Sequence, residues 1–137
     1  MARILVANDN CDLLDSCRAI LEADGHIVET VADGAKAISL ARSCELDAVV
    51  IDWVMPNTDG PTAIAALRAD PATERLPILL MSGTDGAEAT SDEVGADAFL
   101  RKPFGVDEFS AAVQRLLEMT ERRSLSKLPS SGVGDLG

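Results

Sequence analysis

The sequence predicts one α/β domain: a doubly wound, five-stranded parallel sheet of order 2-1-3-4-5 with helices on both faces, in three layers. Three observations predict it. Short apolar runs alternate five times with segments of helical apolar period, the pattern of repeated strand–helix units. The third run, Ala48-Val49-Val50-Ile51, is apolar throughout, as in a strand covered on both faces of a parallel sheet. That run ends at Asp52 before Trp53-Val54-Met55-Pro56-Asn57-Thr58-Asp59-Gly60, where proline, aspartate and glycine force the chain out of the sheet.

The elements follow in order. Arg3 to Ala7 is the first strand; after the polar break Asn8-Asp9-Asn10, Leu13, Leu14, Cys17, Ile20 and Leu21 recur at helical spacing. Asp24-Gly25 ends that helix, His26 to Val31 is the second strand, and Asp33 caps a helix carrying Ala37, Ile38, Leu40 and Ala41. Asp47 to Asp52 is the third strand. Ala63, Ile64, Ala66 and Leu67 mark a third helix that Pro71 stops, and Pro77 to Ser82 is the fourth strand. Gly86 to Val94 is a poor helix with Thr90 and Ser91 in its middle, so its formation relies on packing. Ala96 to Leu100 is the fifth strand, and Val106, Phe109, Ala112, Val113, Leu116 and Leu117 form the clearest helical stripe. The domain is expected over residues 1–121, with a Pro/Gly/Ser-rich tail or truncated linker over 122–137 and no output domain.

The chain has 137 residues, 47% of them hydrophobic, enough for one core. Twelve basic against 23 acidic residues give a net charge of −11, which opposes direct docking on nucleic acid or an anionic membrane. No apolar run approaches the roughly 20 residues of a membrane span, and Met1-Ala2-Arg3 leads straight into a strand, so a cytoplasmic location is expected. Cys11, Cys17 and Cys44 are odd in number and lack CxxC spacing, which argues against a disulfide framework or a zinc site. The single histidine, His26, reads as a turn residue.

A sheet of this order has its switch point between the first and third strands. There lie Asp9 and Asp52; Ser82 and Lys102 follow the fourth and fifth strands at the same edge. Two carboxylates brought together repel unless a proton or a cation separates them. Mg²⁺ suits oxygen donors of this kind and bridges carboxylates to phosphate; Asp9, Asp52 and a carbonyl near Val54 would bind it. With that charge offset, Asp52 can attack phosphorus while Lys102 and the Ser82 hydroxyl hold the phosphoryl oxygens. The product is an aspartyl phosphate.

In their order, Asn8-Asp9, Asp52 with Met55-Pro56 and Asp59-Gly60, Ser82, and Lys102-Pro103-Phe104 resemble the receiver domain of two-component response regulators, over about Arg3 to Met119. The resemblance implies a flavodoxin-like fold, Asp52 as phospho-acceptor, Asp9, Asp52 and the Val54 backbone carbonyl as Mg²⁺ ligands, and Ser82 and Lys102 as phosphoryl contacts. It further implies a histidine kinase or phosphotransfer protein as donor, a downstream protein target, a cis Lys102-Pro103 peptide, and a homodimer through the fourth and fifth helices. Three departures stand out. Asn8 replaces the first of two usual acids, leaving an amide to act on metal through water and predicting weaker Mg²⁺ binding. Phe99 occupies the aromatic switch position usually held by Tyr, so a ring coupled to Ser82 lacks an outward hydroxyl. The stretch from Ser82 to Gly95 is about two residues short, across the weak fourth helix.

Enzymes of similar layout fit poorly. A flavin-phosphate loop needs Ser, Thr and Gly amides, whereas Asn8-Asp9-Asn10-Cys11-Asp12 presents carboxylates. An aspartate-nucleophile phosphatase needs a second acid two residues on, where Val54 stands; the same Val54 is expected to slow loss of a phosphoryl group by failing to orient water. The expected function is a phosphorylation switch that is not a turnover enzyme. The alternative is a degenerate receiver that binds a partner without phosphorylation.

Overall fold

The computed structural model describes residues 2–83 and 87–127. Strands β1 (Arg3–Ala7), β2 (Ile27–Val31), β3 (Ala48–Asp52), β4 (Ile78–Ser82) and β5 (Ala98–Arg101) pair in parallel in the order β2-β1-β3-β4-β5, as expected. Helices α1 (Cys11–Ala23), α2 (Gly34–Ser43), α3 (Gly60–Ala69), α4 (Ala87–Val94) and α5 (Val106–Lys127) supply the crossovers.

Successive strand residues point to opposite faces, and this sorts the apolar residues into two cores. Ile4, Val6, Val50, Leu79 and Met81 meet Cys17 and Leu21 of α1 and Phe109, Val113 and Leu116 of α5. Leu5, Ala7, Val49, Ile51, Ile78 and Leu80 meet Ala37 and Ala41 of α2 and Ile64 and Leu67 of α3. All five β3 residues are buried, so its continuous apolar run serves both cores. Each fully buried Leu, Ile or Val contributes about 1.5 to 3 kcal/mol over leaving it in water.

Side-chain caps start three helices. Asn10 accepts from Leu13 N at 3.1 Å, Asp33 from Lys36 N at 2.7 Å and Asp59 from Thr62 N at 2.9 Å, satisfying donors with no intrahelical partner. Gly25, at φ 95°, turns the chain out of α1.

Several boundaries differ from the sequence reading. Strand β2 begins at Ile27, because His26 N–H still closes α1 onto Leu21 O at 3.1 Å. Strand β5 begins at Ala98: Ala96 N–H folds back to Ser91 O, and Asp97 spends its carboxylate on Ile78 N–H. β3 and β4 each begin one residue later than expected, at Ala48 and Ile78. The boundary expected between 121 and 122 falls inside α5, which continues to Lys127; no Gly or Pro interrupts 121–127, and Pro129 is the first breaker. Residues 128–137 and Gly86, the expected first residue of the fourth helix, lie outside the described residues. Among the described residues no helix is long and apolar enough to cross a membrane.

One polar knot ties the amino edge together. Arg68 of α3 donates to Gly95 O at 2.8 Å, Glu74 O at 3.0 Å, Leu76 O at 2.7 Å and the Asp97 carboxylate at 2.7 Å, and Asp97 also accepts from Ile78 N–H at 2.9 Å. It joins α3 to β4 and to the turn that follows α4. Both side chains are largely buried, 19% exposed for Arg68 and 11% for Asp97. Arg68→Met is therefore expected to cost about 3 kcal/mol, the penalty of leaving a buried carboxylate unpaired, measured by urea unfolding; a loss below about 1 kcal/mol would show that solvent reaches Asp97.

Candidate functional site

Four strand ends converge at the carboxyl edge. The register pairs Ala7 with Ile51, Asp52 with Met81, and Ser82 with Arg101, so Asn8 and Asp9 leave β1 beside Asp52, while Ser82 and Lys102 come from the two strands beyond. Lys102 N–H bonds Ser82 O at 3.0 Å, carrying the β4–β5 ladder up to the lysine. The alternation that sends Val6, Val50 and Leu100 toward α1 and α5 sends Asn8, Asp52 and Lys102 there too. Ser82 and Phe99 follow Leu80 onto the α3 face, where Phe99 packs half-buried against that core.

Asp52 is 4% exposed and its carboxylate is ion-paired with Lys102 Nζ. Burial pushes its proton affinity above the ordinary carboxylate range; the hydrogen bond and charge of Lys102 oppose this, the charge of Asp9 adds to it, and a Val54 backbone hydrogen bond lowers it again. Asp9 is exposed, so its carboxylate faces water beside a buried one. Val54, two residues past Asp52, carries an exposed side chain, and the Lys102–Pro103 peptide is cis. The structure thus brings Asp9, Asp52, Ser82 and Lys102 to one edge.

Asn8 stands at the same edge. It is buried, and its Oδ1 accepts the Asn10 N–H at 2.8 Å, so that oxygen already serves the loop leading into α1.

The carboxylates bear on metal binding through their coupling. Asp9 raises the proton affinity of Asp52, the repulsion that a divalent cation relieves. Among the described residues no group of three or more His, Cys, Asp or Glu side chains could hold a metal; two carboxylates, one carbonyl and water are the donor set Mg²⁺ accepts. The residues fit the ion.

Sequence reasoning missed the clamp on the loop after β3. A Cβ on Gly34 would lie 2.1 Å from Thr58 O, and one on Gly60 2.5 Å from Asp52 O; both positions need glycine for close backbone approach. Asn57, at φ 68°, donates to the buried Asp33 cap at 3.4 Å. The signals were Asp33-Gly34, read only as a helix cap, and Asn57, a residue that tolerates positive φ. Also missed was Cys17, which lies beneath the site within electrostatic reach of Lys102 and Asp52.

Known proteins match this arrangement. The family described as response regulator receiver domain matches residues 4–114. A DNA-binding dual master transcriptional regulator, RpaA of Synechocystis, is 35% identical over 124 residues, covering 89% of this chain and 52% of that protein. The response regulator MprA of Mycolicibacterium vanbaalenii is 35% identical over 135 residues, covering 97% and 54%. The chain spans about half the length of these curated relatives. Among solved structures, the receiver domain of a sensor histidine kinase from Pseudomonas aeruginosa, with a magnesium ion coordinated in its active site cleft, superposes with a TM-score of 0.80 at 29% identity, over 85% of this chain and 98% of that one. The chemotaxis response regulator CheY4 of Vibrio cholerae gives 0.80 at 29% identity, with the same coverage.

Cys17 supplies a probe of the site's floor. Burial pushes its thiol up to about 11 from 9.0, with Lys102 opposing and Asp52 adding to the shift. Because the native value is the higher one, the full stability holds below pH 9 and is lost as pH rises toward 11, by about 3 kcal/mol in total at 1.36 kcal/mol per unit. No tyrosine titrates in that window. Urea unfolding from pH 8 to 11 should show this fall, and Cys17→Ala should flatten it; equal slopes in both proteins would remove Cys17 as the cause.

Proposed function

Because the chain belongs to the response regulator receiver domain family, we propose that it takes a phosphoryl group from a histidine kinase or phosphotransfer protein onto Asp52, and thereby alters a face read by a downstream protein. The observation that carries this is a buried carboxylate at the mouth of a parallel sheet, ion-paired with a lysine from two strands away.

Burial strips water from the Asp52 oxygens and makes them better nucleophiles. One of them forms the new O–P bond as the P–N bond of a phosphohistidine breaks, and the departing imidazole keeps the electron pair and takes up a proton. Lys102 already lies against the attacking carboxylate, so a short movement of Nζ follows the charge from Asp52 to the phosphoryl oxygens. The Ser82 hydroxyl is the second contact. Asp9, Asp52 and the Val54 carbonyl would hold Mg²⁺, which would supply charge neutralisation there. The chain is then its own substrate and does not turn over a separate one.

Ser82 and Phe99 share one sheet face, which supports a switch in which Ser82 moves toward the phosphoryl group and Phe99 repacks between Ser82 and α4. A cytoplasmic protein fits this chemistry. The DNA-binding named for the Synechocystis relative concerns a protein about twice as long; a net charge of −11 argues for a protein partner at this domain.

A second reading, a degenerate receiver that binds without phosphorylation, draws on neutral Asn8. One experiment separates the two. Mg²⁺ followed by a small phosphoryl donor should add one phosphoryl group to the intact mass and change the fluorescence of Trp53, which packs half-buried beside Asp52. Asp52→Asn should gain no mass, and Lys102→Ala should react about 100-fold more slowly, the usual effect of removing one donor to developing charge. A folded wild-type protein that binds neither metal nor phosphoryl group would establish the second reading.

A further inference from the structure

We propose that the side-chain amide of Asn8 is a hydrogen-bond donor reserved for the phosphoryl group on Asp52. The inference rests on the phospho-acceptor reading above and goes beyond it in giving Asn8 a phosphoryl-binding role.

Asn8 is 1% exposed. Its amide orientation is fixed chemically: the Asn10 N–H can only donate, and it lies 2.8 Å from Oδ1, so the other end of the amide must be the NH₂ group. That Nδ2 is buried and has no hydrogen-bond partner among the described residues. A buried donor without an acceptor is uncommon in folded proteins and calls for a cause.

Placement supplies one. Ala7 pairs with Ile51, so Asn8 and Asp52 end adjacent strands on the same sheet face. Asp52 Oδ1 is ion-paired with Lys102 and, like Asn8 Nδ2, is a buried atom without a hydrogen-bond partner among the described residues, so the Asn8 amide is unused while the carboxylate is unmodified. A phosphoryl group brings three strong acceptor oxygens and close to two negative charges to that face. An acid at position 8 would repel those charges; the amide attracts them. The substitution therefore exchanges affinity for metal against affinity for the phosphoryl group.

The test uses the full chain and beryllofluoride, which occupies a carboxylate as a phosphoryl group does. Trp53 fluorescence gives the Mg²⁺ dissociation constant alone, then the beryllofluoride constant at saturating Mg²⁺, for wild type, Asn8→Ala and Asn8→Asp. Asn8→Asp keeps the acceptor for Asn10 while replacing the donor with a negative charge, so it guards against an effect of disturbed folding in Asn8→Ala, whose loss reads the donor alone, and thermal melts check both. Asn8→Ala should leave Mg²⁺ binding within about twofold and weaken beryllofluoride about 10-fold or more, the usual effect of a hydrogen bond to a charged group. Asn8→Asp should tighten Mg²⁺ and still weaken beryllofluoride. In an ¹⁵N-labelled sample the Asn8 NH₂ signals should shift, with slowed exchange, when the mimic binds. Unchanged beryllofluoride affinity in both variants would overturn the proposal and assign the amide to buried water. Equal losses of Mg²⁺ and beryllofluoride in Asn8→Ala would overturn it in favour of a metal role. Wild-type protein that binds Mg²⁺ but no beryllofluoride would sink the phospho-acceptor reading itself, and this proposal with it.

Discussion

The site is organised around a carboxylate buried where water barely reaches it and paired with a lysine from two strands away. Asp52 ends a strand whose every residue is buried, and desolvation alone would drive that carboxyl toward its neutral form. Lys102 and the Val54 backbone oppose this without cancelling it, so the proton affinity of the carboxyl still lies above the ordinary range. The compensation is structural as well as electrostatic, because the lysine comes from the far side of β4 and must arrive in register. The bond from Lys102 N–H to Ser82 O extends the ladder by one residue beyond β5, and thereby sets where the ammonium group can reach. A buried pair of this kind adds little net stability; in the proposed reading it holds the lysine against the oxygen that attacks phosphorus.

Strand alternation then divides the site between two cores. Asn8, Asp52 and Lys102 stand over the core built with α1 and α5, whereas Ser82 and Phe99 stand over the one built with α2 and α3. In the proposed reading, a phosphoryl group on Asp52 forms on one face and draws a hydroxyl from the other. The sheet edge is where the two cores can influence each other, since elsewhere the backbone ladder separates them. Cys17 lies on the acceptor's side, inert by burial yet near enough to feel both Lys102 and Asp52.

Most of this was legible in the sequence where a signal was local and repeated. Five apolar runs with polar breaks gave the strands, and Asp52, Ser82 and Lys102 each followed such a run. Cap residues such as Asp33 were equally readable, because their chemistry acts within four residues. Tertiary exceptions were not readable. His26 looked like strand until α1 claimed its N–H, and Ala96 and Asp97 were drawn from β5 by Ser91, Ile78 and Arg68. Asn8 was read as acting on metal through water; nothing in one-dimensional spacing shows that its oxygen also accepts the Asn10 N–H. The close approach of Gly34 to Thr58 was hidden for the same reason: a contact across 24 residues leaves no period.

The two flanks of the site are built to different stiffness, and this gives a direction to any signal. On the α2 side, the loop after β3 is held by backbone contacts at Gly34 and Gly60 that admit no added atom, by the Asp33–Asn57 bond, and by Met55 buried in the core. Close-packed backbone of that kind moves as a block or not at all. On the other side, α4 has eight residues, and Ala87 and Ser91 are the buried ones among those whose side chains are described. Elements with few buried apolar contacts open and shift at low free-energy cost. In the proposed reading, the effect of added charge at Asp52 is therefore taken up through Ser82 and Phe99 toward α4, and not through the clamped loop toward α2. In that reading the short, polar fourth helix, which the sequence marks as weak, is the flank better able to respond.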